Sequence, residues 1–127
     1  MIAIDTSALM AIVLNEEPAG ACMTALEHEP DVVISAGTVA EALIVAARRN
    51  VAEEMGKLIE GLGFDVVTVT AASARQVAAV YDRWGKGVHP AGLNFGDCFA
   101  YEVAKAYGCS LLYVGDGFSR TDVKSVL

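Results

Sequence analysis

Hydrophobic positions along the chain fall into two kinds of segment that take turns. Short runs rich in β-branched residues, Ile2-Ala3-Ile4, Asp31-Val32-Val33-Ile34, Phe64 to Val69 and Leu111 to Val114, are apolar at successive positions rather than every second one. That is the pattern of strands covered on both faces. Between them lie longer Ala-rich amphipathic stretches whose spacing predicts helices over Ser7 to Asn15, Pro18 to about His28, Thr38 to Arg49, Ala52 to Leu62, Ala72 to Trp84 and Phe95 to Tyr107. Pro18 suits a first helical turn, and Gly61, Gly63 and Gly108 are stop signals. Gly85 to Leu93 reads as a loop, and Val123 to Val126 as a short last strand.

Strands alternating with helices imply right-handed crossovers. The expected fold is therefore α/β: a central, mostly parallel sheet of four to five strands with helices on both faces. No repeat, low-complexity tract or linker divides it, so residues 1–127 form one expected domain. In such folds ligands gather at the carboxyl edge of the strands, beside helix N-termini.

Composition narrows the setting. An apolar fraction of 54% fits a sheet buried on both sides, and the longest apolar run, Ala8 to Leu14, is far short of the ~20 residues that cross a bilayer. Met1 to Asp5 reads as a strand with no basic segment ahead of an apolar one, which points to the cytoplasm. Cys22, Cys98 and Cys109 form no C-x-x-C pair and read as reduced thiols rather than a disulfide framework or zinc site. A net charge of -7 argues against generic nucleic-acid binding through Lys and Arg. It does not exclude an acidic site whose sign a bound cation reverses.

Four acids carry the candidate chemistry, and each has a structural explanation of its own. Asp5, ending the first strand, could be an N-cap. Thr38-x-x-Glu41 scans as a capping box. Asp97, three residues after Asn94, falls in a first helical turn that favours an anion. Asp116 sits in the turn-like Gly115-Asp116-Gly117. Yet all four fall at a strand end or a helix start, the same edge of a parallel sheet. Four carboxylates converging there would repel one another, and a divalent cation removes that penalty. Oxygen ligands suit Mg²⁺ or Mn²⁺, and no His or Cys set suits zinc.

These residues, in this order, resemble the PIN-domain family, and within it the VapC-type toxins of toxin–antitoxin systems. The resemblance rests on Met1-Ile2-Ala3-Ile4-Asp5-Thr6-Ser7-Ala8-Leu9, Thr38-x-x-Glu41, Leu93-Asn94-Phe95-Gly96-Asp97-Cys98-Phe99-Ala100, Leu111-Leu112-Tyr113-Val114-Gly115-Asp116 and Thr121-Asp122-Val123. It covers essentially the whole chain and implies a three-layer PIN-like fold. It implies that Asp5, Glu41, Asp97 and Asp116 are the metal-binding, catalytic acids, with Thr6 and Asn94 supporting them. Gly117 departs from the family, which often carries an acid or amide there, and this bears on whether a second metal is held. Asp122 reads as support for the C-terminal turn.

The resemblance further implies a Mg²⁺- or Mn²⁺-dependent endoribonuclease that hydrolyses RNA (tRNA, rRNA or mRNA) through metal-activated water, leaving 5′-phosphate and 3′-hydroxyl ends. A cognate VapB-type antitoxin and a homodimer follow from the same likeness. The helix Leu9, Met10, Ile12, Val13 and Leu14 is apolar around most of its circumference. The core takes part of that face, and any exposed remainder suits an antitoxin's amphipathic segment, from which an Arg could displace metal. Arg48, Arg49, Arg75, Arg83, Lys86, His89 and Arg120 are the candidate RNA contacts, although most such charges are simply solvated. Trp84 and Tyr81 are candidates for base stacking or for core packing. Cys98, beside Asp97, lacks a paired base and reads as a buried thiol. A receiver-like signalling domain would need an Asp ending the third strand, and a haloacid-dehalogenase-like phosphatase an acid where Ser7 stands. A catalytically silent PIN-like binding module is the non-enzymatic alternative.

Overall fold

The central sheet is built from four strands, all parallel, in the order β3-β2-β1-β4. A computed structural model describes residues 1–127 and places β1 at Ile2–Ile4, α1 at Thr6–Val13, α2 at Ala19–Glu27, β2 at Val32–Ser35 and α3 at Ala36–Arg48. These are followed by α4 (Ala52–Gly61), β3 (Asp65–Val67), α5 (Ala71–Trp84), α6 (Phe95–Ala106) and β4 (Ser110–Leu112). In register, Ile2 lies opposite both Val32 and Ser110, and Ala3 opposite Val33 and Leu111.

The successive apolar residues of each strand divide between two cores. Ile2, Ile4, Ile34 and Leu112 pack with α1 to α4, while Ala3, Val33 and Leu111 pack with α5 and α6. This is the three-layer α/β arrangement that the uninterrupted apolar runs predicted. No helix is long and apolar enough to cross a membrane. Cys22, Cys98 and Cys109 are free thiols.

Several boundaries differ from the sequence-based expectation, each for a local reason. β2 extends to Ser35, whose side chain accepts from the Gly37 N–H at 3.1 Å and starts α3 directly. Thr38 is therefore an interior helical residue, fully buried, rather than a cap. The proposed Thr38–Glu41 capping box does not form. Pro18 is the N-cap of α2, one position earlier than expected. The last predicted strand reduces to a single bridge between Leu111 and Ser125, with Leu111 N donating to Lys124 O at 2.8 Å and Val126 N to Leu111 O at 3.1 Å.

The α1 face also resolves. Leu9 and Met10 belong to the core, and Ile12, Val13 and Leu14 are half-buried against it. Leu9 and Met10 are thus unavailable to a partner. α3 and α6, from opposite layers, touch near their N-terminal turns. A methyl group at Gly37 would overlap the Phe99 ring, so only glycine permits that approach.

Candidate active site

Asp5 follows β1 and caps α1. Its Oδ2 accepts from the Ser7 backbone N–H at 3.0 Å and from Ser7 Oγ at 2.7 Å. The residue is only 3% exposed, and its other oxygen, Oδ1, is buried with no hydrogen-bond partner. Burial pushes this carboxyl above its ordinary pKa, and the Ser7 and Thr6 hydrogen bonds offset part of that rise. Capping accounts for one oxygen of Asp5 and leaves the other unexplained. Ser7 Oγ also accepts from Val114 N at 3.0 Å, tying the segment after β4 to the end of β1.

Glu41 projects from the second turn of α3 and is held by Thr6, whose hydroxyl donates to Oε1 at 2.6 Å. Its carboxylate passes over the first turn of α6 at Gly96, where a β-carbon would overlap it. Burial raises its pKa, the charges of Asp5 and Asp97 push the same way, and Thr6 opposes them. Asp97 closes a capping box with Asn94: Asp97 N donates to Asn94 Oδ1 at 2.8 Å, and Asn94 N donates to Asp97 Oδ2 at 3.0 Å. Burial raises the Asp97 carboxyl to about 6, with Asp5 contributing to the rise and Asn94 lowering it. The capping explanation for Asp97 is therefore correct, and it coexists with electrostatic contact to Asp5.

The structure brings Asp5, Glu41 and Asp97 within reach of one another's charge. Asp116 is not among the charges acting on them. It lies on an exposed turn two residues past Val114, where its backbone carbonyl accepts from Ser119 N at 3.2 Å and Ser119 Oγ at 2.8 Å. No three Asp, Glu, His or Cys side chains form a closed metal-binding set. A closed set is not what Mg²⁺ requires, since it commonly keeps several waters and takes one or two carboxylates. The donor chemistry does fit a hard cation: all-oxygen ligands, raised carboxyl pKa values, and a buried Asp5 oxygen with nothing to bind. An unpaired buried acceptor is costly unless a proton or a cation meets it.

The remaining candidates sort by what they touch. Trp84 is buried, donating from Nε1 to Tyr101 Oη at 3.1 Å and meeting His89 edge-on with ring centroids 4.7 Å apart. Core packing is its role. His89 Nδ1 accepts from Ala91 N at 3.0 Å, which shapes its own loop. Asp122 accepts from the Tyr101 hydroxyl and from Lys105 Nζ (3.2 Å), supporting the C-terminal segment as the sequence suggested. Cys98 is buried and donates to Asn94 O at 3.3 Å, and burial pushes its thiol up to about 11, which removes it as a nucleophile. Arg48, Arg49, Arg75, Arg83, Lys86 and Arg120 are all exposed. Among them Arg83 stacks over Trp84 at 4.6 Å, and Arg120 donates to Pro90 O at 3.4 Å.

Sequence reasoning missed Ser7, Gly96 and Gly37. Ser7 had a signal, because a hydroxyl two residues after an Asp N-cap can return a hydrogen bond to it. Gly96 had a weaker one: a glycine inside a first helical turn is neither a stop nor a cap, which suggests a close approach.

The PIN domain family model matches residues 2–124. Ribonuclease VapC42 of Mycobacterium tuberculosis is 37% identical over 125 residues, covering 95% of each chain. Among solved structures, VapC20 of Mycobacterium tuberculosis, a sarcin-ricin loop cleaving toxin, superposes with a TM-score of 0.79 at 19% identity, covering 97% of this chain and 96% of that one. A toxin–antitoxin complex from Klebsiella pneumoniae contains a chain matching with a TM-score of 0.70 at 16% identity, over 100% of this chain and 97% of the other. At those identities the two structures speak for the fold.

Proposed function

The chain belongs to the PIN domain family, among its VapC proteins, and from that premise we propose that it is a divalent-metal-dependent endoribonuclease, the toxin half of a toxin–antitoxin pair. The observation that carries the reading is Asp5: a capping carboxylate with one buried oxygen unpartnered, facing the charges of two further acids whose pKa values are raised. Such a cluster is unfavourable by itself and becomes favourable around a cation.

Asp5, Glu41 and Asp97 would hold Mg²⁺ or Mn²⁺, and Asp116 is the fourth acid, offered from a turn flanked by Gly115 and Gly117. The chemistry that a bound divalent ion supplies is a water of lowered pKa and a positive surface for the phosphate. The chain's own residues fix the acids. Ser7 holds Asp5, Thr6 holds Glu41, and Asn94 holds Asp97 at the positive end of α6. With Gly117 in place of a further donor, the position near Asp116 has one ligand fewer for a second ion. The substrate is cellular RNA, whether tRNA, rRNA or mRNA, and hydrolysis leaves 5′-phosphate and 3′-hydroxyl ends.

Likeness to chains solved in toxin–antitoxin complexes supports a cognate VapB-type antitoxin as partner. The half-buried Ile12, Val13 and Leu14 of α1 remain the apolar contacts it could use. The active species is a cytoplasmic homodimer. Expression of the chain alone, and together with its neighbouring small gene, tests the pairing: growth arrest alone and relief on co-expression are expected. Harmless expression of the chain alone, with no co-purifying partner, would refute the toxin role. RNA ends carrying 2′,3′-cyclic phosphate would refute the water mechanism.

A further inference from the structure

Phe95 is the most exposed large hydrophobic residue of the chain, at 71%, and it sits at the first position of α6, two residues before Asp97. Its ring is backed edge-on by Phe99, with centroids 5.0 Å apart and planes at 85°. Phe99 in turn lies against α3 at Gly37, where no larger residue fits. An aromatic side chain displayed to solvent and braced from behind by the two helices that carry Glu41 and Asp97 has no role in the core.

Beside it runs a mostly apolar groove of about 510 Å³ between α5 and α6, lined by Ala78, Tyr81, Lys86, Asn94, Phe95 and Cys98 among others. Asn94 joins the groove to the acids, since its backbone N–H holds Asp97. Lys86 is one of only 9 Lys and Arg residues in a chain of net charge -7, and it stands on the groove wall. Asp82 stands on the same wall, so Lys86 offers a single directed contact and not a positive field. An exposed aromatic, an apolar trough and one cation are the elements with which proteins hold unstacked single-stranded bases.

We propose that Phe95 is the platform on which an RNA base next to the scissile phosphate stacks, with Lys86 contacting a neighbouring phosphate. The inference rests on the ribonuclease reading and adds a substrate-binding residue to it. Stacking that reads no base edge gives the site a preference for single-stranded RNA over duplex, with little sequence selectivity from this contact. A second copy of the chain could also bury Phe95. The groove's shared residue Asn94, which holds Asp97, and the presence of Lys86 favour a nucleotide.

The test uses the full chain and a short mixed-sequence single-stranded RNA oligonucleotide, with an abasic oligonucleotide of the same length as control. Phe95→Ala and Phe95→Leu should raise KM about tenfold with kcat little changed, while Phe95→Tyr and Phe95→Trp keep it. In an Asp97→Asn background, which separates binding from cleavage, the Phe95→Trp emission should be quenched by the oligonucleotide and not by the abasic strand. Unchanged KM in Phe95→Ala, with a cleaving wild-type protein, would overturn the proposal and leave the ribonuclease reading standing. A dimer that becomes a monomer on Phe95→Ala, with no base-dependent quenching, would assign this face to a second copy instead. A wild-type protein that neither cleaves RNA nor binds the oligonucleotide would overturn both.

Discussion

Gly96 occupies the one place in the first turn of α6 where the carboxylate of Glu41 crosses from α3, and a single methyl group there would overlap it. Gly96→Ala should therefore displace Glu41 and break its 2.6 Å bond from Thr6. The obstructing atoms end a flexible side chain, and alanine is the better helix former, so stability should stay within about 1 kcal/mol. Cleavage should fall about a hundredfold, the scale expected for misplacing a ligand by an ångström. Activity close to wild type would show that Glu41 need not lie over α6.

Ser7→Ala removes one hydrogen bond to Asp5 and leaves the Val114 N–H without its partner. The expected destabilisation is about 1–3 kcal/mol by urea unfolding. Faster amide exchange should be localised at Val114, at the root of the turn that bears Asp116. Unchanged exchange there would mean that Ser7 does not tether the segment.

Metal-free stability should rise as pH falls from neutral towards 5. Asp97 has a folded pKa raised to about 6 from an ordinary 3.8, and Asp5 and Glu41 are raised as well. Each binds its proton more tightly folded than unfolded, so each opposes folding at high pH and ceases to do so as it protonates. Asp122 shifts downward, and its contribution is lost only below the ordinary carboxylate range. The two effects occupy separate windows. Thermal unfolding in EDTA should show the rise, and Asp97→Asn should reduce it. A melting temperature that falls steadily from pH 7 to pH 5 would contradict the electrostatic account.

Tyr101→Phe separates stability from function. The Tyr101 hydroxyl accepts from Trp84 and donates to Asp122, away from the acids. Its loss should cost about 1–3 kcal/mol by leaving the buried indole N–H unpaired. Specific activity of the folded protein should remain near wild type, and a matching collapse of activity would tie this cluster to the site.

The legible parts of this protein were those fixed by short-range pattern. Successive apolar residues at Ile2 to Ile4 and Leu111 to Leu112 identified strands covered on both sides, and strand–helix alternation gave a parallel sheet. The start of α3 was misplaced because Thr38 and Glu41 scan as a capping box, whereas the N-cap that forms is Ser35, three residues earlier. The last strand shrank to one bridge, Leu111 with Ser125, on the outer edge of β4. Asp5 and Asp97 could be located as strand-end and helix-start acids, and the structure shows both as caps that fix the carboxylates. Gly96 stayed hidden because its contact with Glu41 joins α6 to α3, which no local window contains.

The central claim is that Asp5, Glu41 and Asp97 form a cation site that cuts RNA. Its most direct test is cleavage of purified cellular RNA by chelated wild-type, Asp5→Asn and Asp97→Asn proteins during titration with Mg²⁺ or Mn²⁺. Wild type should be inactive after chelation and recover on adding metal, with Ca²⁺ much poorer, while both variants stay folded and inactive throughout. Cleavage that survives chelation, or full activity in either variant, would contradict it.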